Sequence, residues 1–284
     1  MNRNFMGGKM PRLTIMLILP VVLLISINIC VADEKSIRFG SVAEDIPAAM
    51  HQRLTPLIEY LEKSIGRPVV LALSPNMPKA IEDLSKGSVE LAYLTPVAYL
   101  RAHEKGGATL IAKVVSNNQA FFRLEIAVRD DSPIRKVDDL VGKKFAFGDP
   151  AALLQRAVVE NSGITLEKFG SVSYLGHYDN IVRGILNKDY DAGIVTDSKA
   201  RKWNKKGLRV IYSSPRLPPY NIAATSKIDH KVFLRLQQAL LGLKESNPDH
   251  RRVLQALGED YDGFARTSDQ EYDIVRKLIK PYQQ

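Results

Sequence analysis

Lys86-Gly-Ser-Val-Glu-Leu-Ala-Tyr-Leu-Thr95 and Asn187-Lys-Asp-Tyr-Asp-Ala-Gly-Ile-Val-Thr196 follow one plan. In each, a helical segment ends in a tight turn, an acidic residue follows, a short apolar strand comes next, and a threonine stands where a new helix begins. The two threonines are 101 positions apart, near one domain length, and the pattern predicts two similar lobes. Ligands of open α/β sheets sit beyond the carboxyl ends of the strands. On that rule Thr95 and Thr196 face one another across a cleft. Helix N-termini there offer unpaired N–H groups and positive dipole ends to an anion. A strand–cap–helix junction also recurs in any α/β protein, and the pattern alone leaves both readings open.

Outward from these stretches, short apolar runs alternate with amphipathic segments, the signature of α/β units with largely parallel sheets. Strands are predicted at 36–41, 68–73, 89–94, 109–116, 121–129, 143–147, 172–175, 190–195, 208–212 and 221–225. Pro47 to Ser64 reads as a helix with Ala48, Leu54, Leu57, Ile58 and Leu61 on one face, stopped by Gly66. A second helix runs from Pro78 to Lys86, and Thr95-Pro96 opens a third with a cap residue and a proline at the first helical position. From Asp229 onward the chain reads as helices. Ser213-Ser-Pro-Arg-Leu-Pro-Pro-Tyr220 lies between two strands and reads as a return crossover.

The N-terminus stands apart. Arg3, Lys9 and Arg12 occur without an acid, and residues 13–31 are almost wholly apolar, ending at Cys30-Val-Ala32 before Asp33. That is a charged region, an apolar region and a small-residue cleavage site, so residues 1–32 read as a signal peptide cut after Ala32 and the protein as periplasmic. The alternatives are an uncleaved anchor helix, because the run approaches the roughly 20 residues that span a bilayer, and a lipoprotein attached through Cys30. Cleavage lowers the formal charge of the 284-residue chain from +9 to +6 and removes its only cysteine. A mature chain without a thiol has no disulfide, thiolate ligand or cysteine nucleophile, which suits an oxidising compartment. At 45% hydrophobic and 25% charged residues the remainder is an ordinary globular composition, large enough for its own core. An exported protein with this mild positive balance has no nucleic acid as partner.

Motifs for catalysis are scarce. No two glycines are two or four positions apart, so G-x-G-x-x-G and G-x-S-x-G are both missing, and Walker A is absent. The five histidines, His51, His103, His177, His230 and His250, form no metal-binding pair. Neither metal nor cofactor is expected, and the chain does not read as an enzyme.

Several further stretches carry a resemblance: Tyr60-Leu-Glu-Lys-Ser-Ile-Gly66, Ile81-Glu-Asp-Leu-Ser-Lys-Gly87, Leu91-Ala-Tyr-Leu-Thr-Pro-Val-Ala-Tyr99, Asp131-Ser-Pro-Ile134 with Asp139-Leu-Val-Gly-Lys143, Phe145-Ala-Phe-Gly-Asp-Pro150, and Gly176-His-Tyr-Asp179 with Asp191-Ala-Gly193. In this order and spacing they resemble the phosphate/phosphite/phosphonate-binding subunits of ABC importers over nearly the whole mature chain. The resemblance implies a type II periplasmic-binding-protein fold: two α/β lobes, each a mixed, mainly parallel sheet flanked by helices, joined by two crossover strands and closing on a ligand by a hinge. Lobe 1 is then 33–127 plus 214–284, and lobe 2 is 128–213. It also implies a small-molecule ligand and an inner-membrane ABC permease as partners, with the protein itself a monomer.

The same family places a Ser-Thr-Ser-Gly run after the Asp-Pro, where hydroxyls and N–H groups grip an oxyanion. Here that run is Ala152-Leu153-Leu154-Gln155, and a tyrosine usual near the start of the second helix is replaced by Met77. The expectation is a ligand less charged than a phosphonate, or an organic molecule with apolar surface against Leu153 and Leu154. The candidate ligand-binding residues are Tyr93, Thr95, Ala152, Leu153, His177, Thr196 and Asp197. Each has a plain structural alternative: core packing and capping for Tyr93 and Thr95, a surface or capping role for His177, and an N-cap for Asp197. Glu44 and Asp45 also come within reach of the cleft. Lys199, Arg201, Lys202, Lys205, Lys206 and Arg209 crowd around Trp203 as a solvated face or a docking surface. The functional alternatives to a transport protein are a module that presents its closed form to a membrane sensor kinase and a hydrolase of the same shape.

Overall fold

The computed structural model describes Met1, residues 36–42 and residues 47–282. The expected signal peptide beyond Met1, Cys30, Glu44 and Asp45 lie outside the described residues. In chain order, β1 (Ile37–Val42) leads into α1 (Pro47–Ile65), β2 (Val69–Ser74) into α2 (Met77–Lys86), and β3 (Leu91–Leu94) into α3 (Pro96–Gly106). β4 (Thr109–Ser116) leaves this group and β5 (Leu124–Arg129) opens the next. There β6 (Lys144–Phe147) precedes α4 (Leu153–Asn161), β7 (Ser171–Tyr174) precedes α5 (Tyr178–Leu186), and β8 (Ala192–Thr196) precedes α6 (Asp197–Trp203). β9 (Leu208–Ser213) and β10 (Asn221–Ala224) carry the chain back, followed by α7 (His230–Gly242), α8 (Pro248–Gln255), β11 (Tyr261–Ala265) and α9 (Asp273–Ile279). No helix among the described residues is long and apolar enough to cross a membrane.

The strands form a six-stranded sheet of order β11-β4-β10-β3-β1-β2 and a five-stranded sheet of order β7-β6-β8-β5-β9. Both sheets are mixed, but the parallel share is smaller than expected. β1 pairs in parallel with β2 and β3, and β6 with β7 and β8, whereas β4, β5, β9, β10 and β11 all enter antiparallel. β5 and β10 arrive from the other sheet with no crossover helix to turn them round, so they run against both neighbours. β4 and β9 follow α3 and α6, keep the direction of the parallel strands, and pair antiparallel with the strands inserted beside them.

A second difference lies at 261–265. The region from Asp229 onward is helical except for β11, which pairs antiparallel with β4 from Tyr261↔Ser116 to Ala265↔Lys113. Five residues with two aromatics make a strand only because β4 offers a free edge. α1 differs in detail: Met50, Leu54, Leu57, Leu61 and Ile65 are its buried row, while Ala48 is exposed. These positions recur every three or four residues, the spacing of one helix face.

α1, α7 and α8 cover one face of the first sheet in a core that includes Phe39, Leu57, Leu91 and Leu236. The other face belongs to a core shared by both sheets: Leu84, Leu94 and Tyr99 from the first group are continuous with Leu124, Ile126, Phe145 and Val158 from the second. Each such side chain contributes roughly 1.5–3 kcal/mol by leaving water. The C-terminal segment joins this core from outside. The buried Tyr99 hydroxyl donates to Asp269 Oδ1 at 2.7 Å, and Arg276 Nη2 spans both oxygens of that carboxylate at 2.6 and 2.8 Å. α9 packs against α3 and α4, Tyr282 donates its hydroxyl to Glu160, and Arg156 lies 5.1 Å from the Tyr282 ring centre. Residues 269–282 thus touch elements of both sheets.

Burial raises the Tyr99 pKa, and the neighbouring Asp269 carboxylate adds to the effect. At Asp269 burial pushes upward, but the hydrogen bonds from Arg276 and Tyr99 outweigh it and hold the carboxyl below its usual range. A depressed carboxyl stabilises the fold above its unfolded-state pKa and ceases to do so as pH falls through the folded value. Denaturant titration at neutral pH is expected to find Tyr99→Phe and Asp269→Asn each less stable by about 1 kcal/mol, allowing for the partial exposure of the carboxylate. The Asp269→Asn deficit shrinks on acidification; a deficit that grows instead contradicts this account.

Candidate functional site

The register of the sheets decides where the site is. β3 ends at Leu94 opposite Asn221, the first residue of β10, and Asn221 also pairs with Lys113, three residues before the end of β4. In the second sheet β8 ends at Thr196 opposite Leu124, the first residue of β5, and Glu125 pairs with Ser213, the last residue of β9. Both connections between the sheets therefore leave and enter at the ends where β1, β2, β3 and β6, β7, β8 finish. The helices that follow those strands begin at the same ends. This is the position at which open α/β sheets bind ligands.

The two connections are also joined to each other. Ser116 and Gln119 bridge across Asn117 and Asn118, both with positive φ (51° and 59°), which is the backbone of a tight hairpin turn tolerated by asparagine. Phe122 and Leu217 exchange both N–H···O bonds, at 3.0 and 2.9 Å, and Arg216 stacks 4.3 Å from the centre of the Phe121 ring. The fully buried Ser214 hydroxyl accepts from the Leu124 N–H at 3.1 Å and donates to Pro215 O at 2.8 Å.

The repeated sequence plan has a counterpart in detail. Gly87 (φ 75°) and Lys188 (φ 69°) make the two tight turns. Glu90 Oε2 accepts the Arg38 N–H at 2.8 Å, and Asp191 Oδ2 accepts the Lys144 N–H at 2.8 Å. In return the Glu90 N–H donates to Arg38 O and the Asp191 N–H to Lys144 O, both at 3.0 Å. Each acid fixes the start of the neighbouring parallel strand. Thr95 then caps α3 by accepting from the Ala98 N–H at 3.2 Å, and Thr196 caps α6 by accepting from the Lys199 N–H at 3.5 Å.

The candidate residues fall into two groups at these strand ends. Tyr93 and Thr95 belong to the first; the Tyr93 ring stacks on Tyr220 at 5.0 Å and its hydroxyl is hydrogen-bonded to that of Tyr261. Ala152, Leu153, His177, Thr196 and Asp197 belong to the second. Ala152 and His177 occupy the N-cap positions of α4 and α5 without a side-chain cap bond, and His177 is exposed. Asp197 is buried inside its own helix turn: Arg201 donates to Oδ2 at 2.9 Å and the Ser198 N–H to Oδ1 at 3.0 Å. Its cap role is taken by Thr196. Met77 packs half-buried against the shared core.

The basic cluster around Trp203 is partly consumed by the fold. Lys199 pairs with Asp179 at 2.9 Å, and the hydrogen bonds hold the Asp179 carboxyl below its usual range. Arg201 serves Asp197, and Arg209 donates to Ser132 O and Ile134 O at 3.2 and 2.8 Å.

Two contributors were not legible as such in the sequence. Tyr261 sits in a segment read as helical. Gln155, though part of the altered loop, receives the Gly148 N–H on Oε1 at 2.8 Å and donates from Nε2 to the Tyr178 hydroxyl at 3.1 Å. Burial pushes that phenol up to about 12. Two open hollows on the surface, one lined by Asn76, Lys79, Lys86 and Lys105 and the other by Glu125, Arg201, Asn204 and Arg209, include none of the seven candidate residues. The seven candidate residues lie instead at or just beyond the strand ends, where the helices of both sheets begin. Among the described residues no group of three His, Cys, Asp or Glu side chains is assembled to hold a metal ion.

Two mixed α/β sheets, exchanged strands and helix mouths gathered at a double connection define the class: a type II periplasmic solute-binding protein. The profile of the family described as "ABC transporter, phosphonate, periplasmic substrate-binding protein" matches residues 39–272, and the chain belongs to that family. It is 22% identical over 262 residues to the phosphonates-binding periplasmic protein of Escherichia coli K12, covering 87% of this chain and 76% of that one. Its fold is similar to XAC2383 from Xanthomonas citri bound to ATP, with a TM-score of 0.71 at 18% identity over 87% of this chain and 97% of the other. It is also similar to PhnD1 from Prochlorococcus marinus in complex with methylphosphonate, with a TM-score of 0.70 at 14% identity over 87% and 98%. Proteins of this family bind a small molecule and work with a membrane ABC permease; theirs is a transport role and not an enzymatic one.

Because Ser214 satisfies buried backbone groups at the connection, Ser214→Ala is expected to lower stability by about 1–3 kcal/mol. Thr95→Ala, which only uncaps α3, costs about 1 kcal/mol. Chemical denaturation of the two variants checks the ranking, and a Ser214→Ala protein as stable as wild type argues against the Ser214 hydroxyl as a stabilising link of the connection.

Proposed function

We propose that this chain captures a small oxyanion or organic molecule between two lobes, 33–127 plus 214–284 and 128–213, and delivers it to an inner-membrane ABC permease without altering it chemically. The observation that carries the reading is the convergence of the strand carboxyl ends of both sheets on one double connection. A ligand held there touches helix mouths from both lobes, and its binding energy favours the closed arrangement over the open one. Tyr93 and Thr95 line one side. Ala152, Leu153, His177 and Thr196 line the other, with Asp197 beneath Thr196 and already neutralised by Arg201. The connection, with its Phe122–Leu217 bridge, is the hinge.

Residues 1–32 are a signal peptide cleaved after Ala32, and the mature protein acts as a periplasmic monomer. Membership of a periplasmic substrate-binding family supports the location, and the absence of nucleophile and metal motifs supports a binder over a hydrolase.

A thermal-shift screen of phosphate, phosphite, phosphonates, sulfonates, carboxylates and amino acids against residues 33–284 tests the reading. A true ligand at 100 times its Kd adds roughly 2.7 kcal/mol of stability and reduces the radius of gyration in small-angle scattering. A stabilising compound that is turned over, or that leaves the scattering unchanged, refutes capture by closure.

A further inference from the structure

The mouth of α4 stands at one of the strand ends assigned above, and a helix N-terminus there is ordinarily an anion site because its N–H groups lack partners. In this chain most of the N–H groups of the loop before α4 and of its first turn are in use, with no partner among the described residues for that of Leu154. The Gly148 N–H goes to Gln155 Oε1 at 2.8 Å, the Ala151 N–H to Asp149 Oδ1 at 2.7 Å, and the Ala152 N–H to Asp149 O at 2.9 Å. The Leu153 and Gln155 N–H groups donate to Ala151 O and Ala152 O at 2.8 and 2.9 Å. Ala152 at the cap has no polar side chain, and Asp149 puts a negative charge into the loop.

Gln155 is what closes the arrangement. Its side chain is 7% exposed, in the first turn of the helix, and both ends of its amide are engaged. The oxygen takes the Gly148 donor, and the nitrogen reaches across to Tyr178 at the start of α5. A side chain at position 148 would bring a Cβ within 2.8 Å of Gln155 Nε2, so Gly148 leaves the room that the glutamine fills. A neutral carbonyl thus takes the N–H that directly follows β6.

We propose that Gln155 is a specificity-determining residue: it occupies the Gly148 donor between β6 and α4, excludes a dianionic head group and sets the site for a singly charged or uncharged one. The proposal deepens, and rests on, the reading of the strand ends as a solute site. A dianion needs several charge-assisted hydrogen bonds to replace its hydration, and this mouth and the loop before it have given up most of their donors and gained Asp149. A monoanion of the same shape needs fewer, and its organic part meets the half-buried Leu153.

Methylphosphonate and methanesulfonate have nearly the same shape and differ by one charge at alkaline pH. Calorimetric titration of residues 33–284 with both, under those conditions, is expected to find methanesulfonate the tighter ligand. Gln155→Ser frees the Gly148 N–H and supplies a hydroxyl; it raises methylphosphonate affinity roughly tenfold to a hundredfold, the worth of about one charge-assisted hydrogen bond. Gln155→Glu keeps the size and the Gly148 bond while adding a charge, and it weakens methanesulfonate at least about tenfold, so the idea remains open to refutation if the serine variant does not fold. Methylphosphonate bound more tightly than methanesulfonate by wild type, or a preference that neither variant moves, overturns the role of Gln155. If compaction on ligand binding persists in that case, the solute-binding reading stands. If no compound in the wider screen binds or compacts the protein, both fall together.

Discussion

Neither sheet is complete without a strand that has come from the other. β10 lies between β3 and β4 after the chain has built the whole second sheet, and β5 lies between β8 and β9 straight after leaving the first. A strand inserted in this way must begin where its neighbours end, so the two connections are forced to the carboxyl ends of the parallel strands. The helices that follow those strands begin there too. A single topological requirement therefore places the helix mouths, the double connection and the candidate binding residues at one locus. The antiparallel entry of β5 and β10 is the local sign of it.

The recurrent acid shows how a short sequence signal carries this architecture. Glu90 and Asp191 each hold the backbone N–H and C=O of a residue in the opening of the adjacent parallel strand, the second of β1 and the first of β6, and an apolar residue in either place would leave that N–H without its side-chain acceptor. Lys188 adopts the left-handed turn that Gly87 adopts in the other half, at the modest cost a side chain incurs there. The two halves thus share a mechanical plan even where the residue types differ.

Such local plans were readable from the chain: Thr95 and Thr196 cap the helices that the sequence places after them, and the strand at 109–116 has the limits its apolar run suggests. What was not readable depends on distant partners. Tyr261 to Ala265 becomes a strand through the edge of β4, and the balance of parallel and antiparallel pairing depends on where the returning chain enters. Gln155 reads as an ordinary polar residue in the first turn of a helix until Gly148 and Tyr178 are brought to it. The charges around the site belong to the same category, since Asp179 and Asp197 stand free in the sequence and are paired with Lys199 and Arg201 in the fold.

The bridge between Phe122 and Leu217 makes a single ribbon of the two connections. Two independent strands would permit twist, shear and bending in similar measure. A ladder of even one reciprocal pair, tightened by Arg216 on Phe121, behaves as a flat spring: compliant across its face, stiff within its plane. The C-terminal segment, anchored on α3 by Tyr99 and on α4 by Glu160, adds a tether away from that spring. Together they tie the two halves of the fold at two separate places, one at the strand ends and one where α9 packs on α3 and α4.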